Sequence, residues 1–436
     1  EACAHAHHFA GGAHFGAENG VHAGEFDEGE HGFFYGVKVG DNFFLPAFSP
    51  FYFPFMKEGS FMKINCLKSD LVQALHVVSR AVASKPQTPI LSGIHLKAEK
   101  DNVELQATDY SLSVLCRVQA EVEEAGTIIV SGRYLQEVTR NLPSDEVIIE
   151  TDAEEKQVFI RSGSAHFQLL VMNRQSGEEF PTLRPLEGKV TFTISDVLLK
   201  QLIRKTAFSC VGEDGRPVFT GCMLELGDDS VKMVATNTHR LSFMETSLEG
   251  VHGEGRQFII PAKVLEELRQ TLTSEIPEDV TIACTYSEIS FAFENIYLKS
   301  RLIEGQFPDY RRVIPTEFST RVTLSTADFL AAVNRVSLIA RASDYNVIKL
   351  NFSGGQVHMT SNNPEIGQAE ERVAATIDGP DVAIAFNAAY ITDVLKNIDT
   401  KNFYFSLSEP LKPAAIRETE NEEFIYIITP VRTQHG

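Results

Sequence analysis

MKINCLKSDLVQALHVVSRAV, residues 62–82, runs from a short alternating strand through a polar hinge into an amphipathic helix. The arrangement returns as KVTFTISDVLLKQLIRKTAF at 189–208 and as RVTLSTADFLAAVNRVSLIA at 321–340. An aspartate opens each helix (Asp70, Asp196, Asp328), beside a Ser or Thr able to cap free backbone N–H groups. These aspartates are 126 and 132 residues apart. A second strand-to-helix passage follows in each unit: IIVSGRYLQEVTRNL at 128–142, FIIPAKVLEELRQTL at 258–272 and VAIAFNAAYITDVLKNI at 382–398. Between the two helices lie segments of period two, VELQATDYSLSV, VKMVATNTHRLSF and QVHMTSNNPEIGQ, the mark of strands with one buried face. The expectation is an α+β protein of three tandem repeats, each with two helices packed on six to eight short antiparallel strands. Their bounds are 62–184, 185–315 and 316–436.

The first 61 residues do not share this pattern. They hold 12 of the 30 phenylalanines and 6 of the 13 histidines, but only two lysines and no arginine. No basic stretch precedes an apolar core, so a secretory signal is excluded. Residues 42–55, NFFLPAFSPFYFPF, are too short to span a bilayer and are broken by Pro46, Pro50 and Pro54. Residues 1–61 therefore read as a low-complexity leader or translated upstream sequence, with Met62 the start of the folded body. His5, His7 and His8 could hold a metal ion, but clustered histidines without a supporting fold are more often incidental.

The 436-residue chain carries 39 basic and 59 acidic side chains, a formal charge of −20. That total argues against non-specific coating of nucleic acid or of an anionic membrane, though not against a local basic face. The six cysteines form no C-x-x-C pair and no zinc spacing, which points to reduced thiols in a cytoplasmic protein. Phosphate-binding, dinucleotide, metalloprotease and nucleophile-elbow motifs are all missing, so neither a cofactor nor a metal site is expected. Asp109, Asn237 and Asn362 occupy matching points of the three repeats and read better as turn residues than as a catalytic set.

The helical segments are more informative. Counting Arg80, Lys85, Arg133, Arg140, Lys200, Arg204, Lys205, Lys263, Arg269, Arg335, Arg341 and Lys396 against seven acids, they net +5 within a body of −14. A basic helical layer on an acidic shell suits one-sided contact with a polyanion. Lys and Arg biased toward helix C-termini by the macrodipole would give a similar count. With exposed aromatics not expected on these helices, phosphate contact is favoured over base stacking.

From Met62 onward the chain resembles the bacterial DNA polymerase III beta subunit, the sliding-clamp family. The segments that carry the resemblance are TPILSGIHL at 88, TNTHRLSF at 236, FPDYRRVIP at 307, AFNAAYITDVL at 385 and the terminal YIITPVR at 426. The resemblance implies a DNA-clamp fold and a head-to-tail homodimer closed as a ring around double-stranded DNA, without sequence preference. The chain would then be a processivity subunit of a DNA-directed DNA polymerase, with no catalysis of its own.

By position, Lys85, Arg133, Arg140, Arg204, Lys263 and Arg269 would face DNA. A pocket for linear peptides from the replicative polymerase, the clamp loader and repair proteins would take Phe219, Thr236, His239, Arg240, Leu241, Pro308, Arg312, Val313, Tyr345, Asn387, Tyr390, Leu411, Pro413, Ile427, Pro430, Val431 and Arg432. Leu338 and Ile339 from the third repeat, with Arg161 and Phe167 from the first, would close the dimer. The family often has Gly where Thr238 stands and Met at Thr429 and Val431, so a shallower pocket is expected. The residues alone also leave open a peptide-binding adaptor that never encircles DNA, and an enzyme with a site near His239.

Overall fold

A computed structural model describes residues 62–152, 154–172, 179–212, 215–273, 276–342, 346–419 and 421–432. The readings made for residues 1–61, and for Tyr345, lie outside them. Repeat one comprises β1 (Lys63–Leu67), α1 (Lys68–Val78), β2 (Gly93–Glu99), β3 (Asn102–Thr108), β4 (Leu112–Glu124), β5 (Gly126–Ser131), α2 (Gly132–Arg140), β6 (Glu146–Thr151), β7 (Gln157–Ser162) and β8 (Ala165–Leu170). Repeat two comprises β9 (Val190–Ser195), α3 (Asp196–Thr206), β10 (Gly221–Thr236), β11 (Arg240–Pro261), α4 (Ala262–Thr271), β12 (Asp279–Cys284), β13 (Glu288–Phe293) and β14 (Ile296–Arg301). Repeat three comprises β15 (Thr320–Ser325), α5 (Thr326–Ala340), β16 (Val347–Ser353), β17 (Gln356–Asn363), β18 (Gly367–Ala374), β19 (Thr376–Asp378), β20 (Val382–Asn387), α6 (Ala388–Leu395), β21 (Asn402–Leu407), β22 (Ala414–Glu418) and β23 (Phe424–Ile428).

Each helix buries one stripe at three- and four-residue spacing. Leu71, Ala74, Leu75 and Val78 do so in α1, Leu199, Leu202, Ile203 and Thr206 in α3, and Phe329, Ala332, Val333, Val336 and Ala340 in α5. Phe329 packs on Phe403 with ring centroids 5.6 Å apart. Truncating so buried a ring costs about 3–5 kcal/mol. The expected caps form in two repeats: Ser195 Oγ accepts from Leu198 N–H at 3.3 Å and Ser325 Oγ from Asp328 N–H at 3.4 Å. The first repeat differs. There β1 runs straight into α1 with Leu67 at the cap, and the Lys68 N–H is met by the Asp145 carbonyl at 2.7 Å.

The sheets cross the repeat boundaries. One sheet follows β8-β7-β6-β1-β4-β14-β13-β12-β9, a second follows β10-β11-β23-β22-β21-β15-β19, and a third follows β18-β17-β16-β20. Repeat one thus joins repeat two through β4 and β14, and repeat two joins repeat three through β11 and β23. The structural counterpart of β4 and β11 in repeat three is β18, and the counterpart of β14 and β23 in repeat one is β8. Each of β8 and β18 is an outer strand of its sheet, with β9 and β20 at the opposite ends.

Ion pairs stitch the same boundaries on the helical side. Arg80, just past α1, binds Glu267 of α4 and reaches Gln270 at 2.8 Å. Arg204 of α3 forks onto Asp399, with one arm at 2.8 Å. Lys205 is wholly buried and donates to Glu418 at 2.5 Å and to the Asn397 carbonyl at 2.6 Å.

Candidate functional site

The two internal junctions share one register and differ in chemistry. Where β4 meets β14, Leu112 stands opposite Ser300 and Ser113 opposite Lys299. Where β11 meets β23, Arg240 stands opposite Ile428 and Leu241 opposite Ile427. The first junction is polar, with the Lys299 ammonium 3.2 Å from a Glu288 carboxylate oxygen. The second is apolar: Leu241 and Ile427 belong to a buried cluster with Met223, Phe307 and Tyr310, against which Val218 packs. Pro308, Arg312 and Val313 lie on the segment that carries Phe307 and Tyr310. All three are exposed, and Arg312 pairs with Asp309 at 2.9 Å. Leu411 is 60% exposed and Pro413 half-buried, just ahead of Ala415 of the same cluster. Phe219 is buried in the short turn Pro217–Phe219 beside Val218.

The turn between β10 and β11 builds the polar edge. Asn237 Oδ1 accepts from the N–H groups of His239 at 3.1 Å and Arg240 at 3.0 Å, while Thr236 Oγ1 donates to the Arg240 carbonyl at 2.7 Å. Asp109 does the same in repeat one, accepting from Ser111 and Leu112 at 2.8 and 2.7 Å. In repeat three the role falls to Asn363, which accepts from Glu365 N–H at 2.9 Å, not to Asn362. The turn-residue reading thus holds at Asp109 and Asn237 and shifts by one position in the third copy. Thr238 takes φ +78°, a left-handed backbone that suits glycine and strains a β-branched residue.

Arg240 is the electrostatic centre. Its guanidinium donates to Asp393 Oδ2 at 2.5 Å and to the Phe208 carbonyl at 2.6 Å, and sits 4.6 Å from the Tyr390 ring centroid. Burial opposes its charge, but Tyr426 and the Asp393 carboxylate outweigh that and raise its pKa. His239 stacks on Tyr390 with centroids 6.5 Å apart. The His239 carbonyl accepts from both the N–H and the hydroxyl of Thr429 at 2.9 Å, which ties the turn to the end of β23. Val431 N–H then bonds the Ala385 carbonyl at 2.8 Å, carrying Pro430, Val431 and exposed Arg432 past β20. Asn387 caps α6 by accepting from Ala389 N–H at 2.9 Å. Asp393, Val218, Phe307 and Tyr310 join this region although the sequence reading left them out. Asp393 is one helical turn beyond Tyr390 and so shares its face.

Among the basic candidates, Lys85, Arg133, Arg140 and Lys263 are exposed, and among the described residues no carboxylate pairs with them. Arg140 instead lies 3.4 Å from His76 Nδ1. Burial, then Arg80 and Arg140, lower the pKa of that imidazole, favouring its neutral, accepting form. Arg204 and Arg269 are engaged by Asp399 and by Glu266, the latter at 2.6 Å. Two sequence readings need correction. Lys85 lies beyond α1, which ends at Val78, and Arg80 lies in a separate short turn. The helices also carry an exposed aromatic: Tyr134 is 55% exposed on α2, with the Arg133 guanidinium 5.8 Å from its ring.

At the outer strands, Leu338 on α5 is 62% exposed and so is not the ordinary core residue that sequence alone allowed. Ile339 is half-buried, Phe167 is exposed on β8, and Arg161 on β7 pairs with Glu150. Among the described residues no helix is long and apolar enough to cross a membrane, and no cluster of side chains suits a metal ion.

Three family models match in order: the DNA polymerase III beta subunit N-terminal domain at 62–184, its central domain at 193–309 and its C-terminal domain at 311–432. The chain is 32% identical to the beta sliding clamp of Bacillus subtilis over 382 residues, covering 85% of this chain and all of that one. Against the Streptomyces coelicolor beta sliding clamp it is 32% identical over 383 residues, covering 85% and 99%. Among solved structures, the Bartonella birtlesii sliding clamp bound to griselimycin superposes with a TM-score of 0.80 at 33% identity, covering 86% of this chain and all of that one. The Thermotoga maritima DNA polymerase III beta subunit gives 0.79 at 26%, covering 85% and 100%. A threefold strand-and-helix repeat, the two sheet junctions that join its copies and relatives matched over their full length lead to one assignment: this chain belongs to the DNA polymerase III beta subunit family, the beta sliding clamps.

Proposed function

We propose that two copies of this chain close head to tail around double-stranded DNA and tether the replicative polymerase, the clamp loader and repair proteins to it. The supporting observation is the strand left over at each end. Within the chain, β4 finds β14 and β11 finds β23, while their counterparts β18 and β8 each keep an open edge. Open edges are templates for pairing with another chain, and a heterologous contact of this kind closes into a ring when its rotation permits. Leu338, Ile339, Phe167 and Arg161 flank those edges.

Lys85, Arg133, Arg140 and Lys263 would meet phosphates through their uncommitted charges, with Arg204 and Arg269 contributing less because carboxylates already hold them. Contacts of this kind are salt-sensitive and read no sequence, so the ring slides and topology retains it. The apolar cluster around Leu241 and Ile427 would seat leucine or phenylalanine anchors, and Arg240, His239 and Asn387 would orient the peptide backbone. No catalytic step is assigned to the chain. Its effect on synthesis is the raised local concentration of a tethered polymerase, in the cytoplasm.

The test is retention on nicked circular DNA after enzymatic loading, in salt high enough to screen phosphate contacts. Retention that vanishes when the circle is cut once is the expected result. Equal retention on circle and line, or none on either with a working loader, would leave the peptide-binding adaptor as the better account.

A further inference from the structure

Cys210 and Cys222 bring their sulfurs to 3.7 Å, the only such pair among the described residues. Cys210 is half-buried where the turn Ala207–Ser209 leaves α3, and Cys222 is wholly buried as the second residue of β10. Between them the Val211 N–H bonds the Phe219 carbonyl at 2.9 Å, and residues 215–220 form the strap that leads into β10. We propose that this pair is an oxidisable dithiol that closes an intramolecular disulfide under hydroperoxide and thereby resets the strap that carries Val218 and Phe219.

The order of events follows from access. Peroxide reaches the sulfur of Cys210 first: the O–O bond breaks, an S–O bond forms, and one water leaves. The Cys222 sulfur then attacks the sulfenic sulfur, the S–S bond forms, the S–O bond breaks, and the departing oxygen leaves as a second water with the Cys222 proton. Two thiols and one hydrogen peroxide thus give one disulfide and two waters. Cys222 cannot begin the sequence, because its hydrogen bond to Cys210 and its burial hold its thiol well above the usual range. Cys66, Cys116 and Cys284 have no such partner, and burial pushes each up to about 12.

Closing the bond brings sulfurs now 3.7 Å apart to about 2.05 Å. The β10 side is held by the ladder to β11, where Gly221 stands opposite Pro261 and Cys222 opposite Ile260. The movement therefore falls on Cys210 and the strap. Val218 packs on the cluster that includes Leu241 and Ile427. On the reading that this cluster seats partner peptides, oxidation weakens peptide binding by about tenfold, the loss of one good apolar contact.

The test treats the reduced full-length chain with a modest excess of hydrogen peroxide, so that a thiol left without a partner can take up a second equivalent, quenches, denatures and alkylates, and maps the cysteines by mass spectrometry. Cys210 and Cys222 should leave the alkylatable pool together in one cross-linked peptide, while Cys66, Cys116 and Cys284 stay alkylatable. In C210S, Cys222 should remain a free thiol, and in C222A, Cys210 should proceed to sulfinic acid. Cys210 overoxidised with Cys222 still free in the unaltered chain would overturn the disulfide. A fluorescent leucine-anchored peptide, followed by anisotropy, should lose affinity on oxidation of the unaltered chain and not of C210S. A disulfide formed with affinity unchanged would overturn the coupling. A reduced chain that binds no peptide would count against the pocket reading alone, since the mapping does not depend on it.

Discussion

The Lys205 ammonium lies 2.5 Å from Glu418 Oε1 in the packing between α3 and β22, with both side chains buried. The same ammonium reaches Asp399 at 3.1 Å and the Asn397 carbonyl at 2.6 Å, so its three donors are spent across the boundary between repeats two and three. Removing one member strands the other in a dry site. Lys205→Met is expected to destabilise by about 3–5 kcal/mol, and Lys205→Met with Glu418→Leu to recover most of that loss. Urea unfolding of the two variants beside the parent chain reads this directly. A double variant no more stable than the single would show that the pair is worth more than its desolvation.

Asp399 gives the boundary an acid limit. Arg204, then Lys205, hold its carboxyl down at about 2 against an ordinary 3.8. A depressed folded-state pKa contributes stability that is fully present above the unfolded value and is lost as pH falls through the folded one. Thermal midpoints should therefore fall as pH drops from about 4 toward about 2, beyond the loss from other carboxylates. Because the Asp399 side chain is about half exposed, solvent and salt screen the effect. Asp399→Asn should flatten that part of the profile by lowering the midpoint at neutral pH, where the ionised carboxylate contributes, and leave the acid end little changed. Identical profiles for the two chains would sink the assignment.

Thr238 occupies a left-handed backbone at φ +78° and is exposed, so its side chain offers little packing in return. A β-branched residue there costs roughly 1–2 kcal/mol, against roughly 0.5–1 kcal/mol of chain entropy for glycine. Thr238→Gly is expected to raise stability by a few tenths to about 1 kcal/mol. A loss in denaturant titration would mean that the threonine makes contacts that its exposure does not suggest.

The repeats were legible because helix stripes and strand alternation survive in all three copies, and so were both helices in each. What escaped were relationships between distant residues. Arg240 meets Asp393 across 153 positions, and no local pattern announces that a buried guanidinium needs that carboxylate. The cap at Lys68 escaped because its partner, Asp145, arrives from a different strand connection. The exact end of α1, and with it the placement of Lys85, depends on tertiary packing that propensity does not resolve. Tyr134 was visible in GRYLQEV, but its exposure follows from which face of α2 the sheet covers.

Leu338 is the apolar side chain most out of place on a helix, and it lies on the repeat that bears the open β18 edge. Leu338→Lys should shift the chain from dimer to monomer by light scattering, with helix and strand content unchanged by circular dichroism. A variant that remains dimeric at micromolar concentration would move the interface elsewhere.

Each chain should bind one apolar-anchored peptide, although two junctions of identical register exist. The floor at β11–β23 is Leu241 and Ile427, whereas the matching floor at β4–β14 is Ser113 and Lys299. Seating a leucine there would desolvate an ammonium already paired to Glu288, with only apolar contact in exchange. Titration calorimetry with a leucine-anchored peptide should give one site per chain. Leu241→Ala should weaken that site by at least tenfold, the scale of a central anchor contact, while Ser113→Ala should change nothing. A stoichiometry of two, or binding indifferent to Leu241→Ala and lost with Ser113→Ala, would put the peptide at the first junction and overturn the argument from floor chemistry.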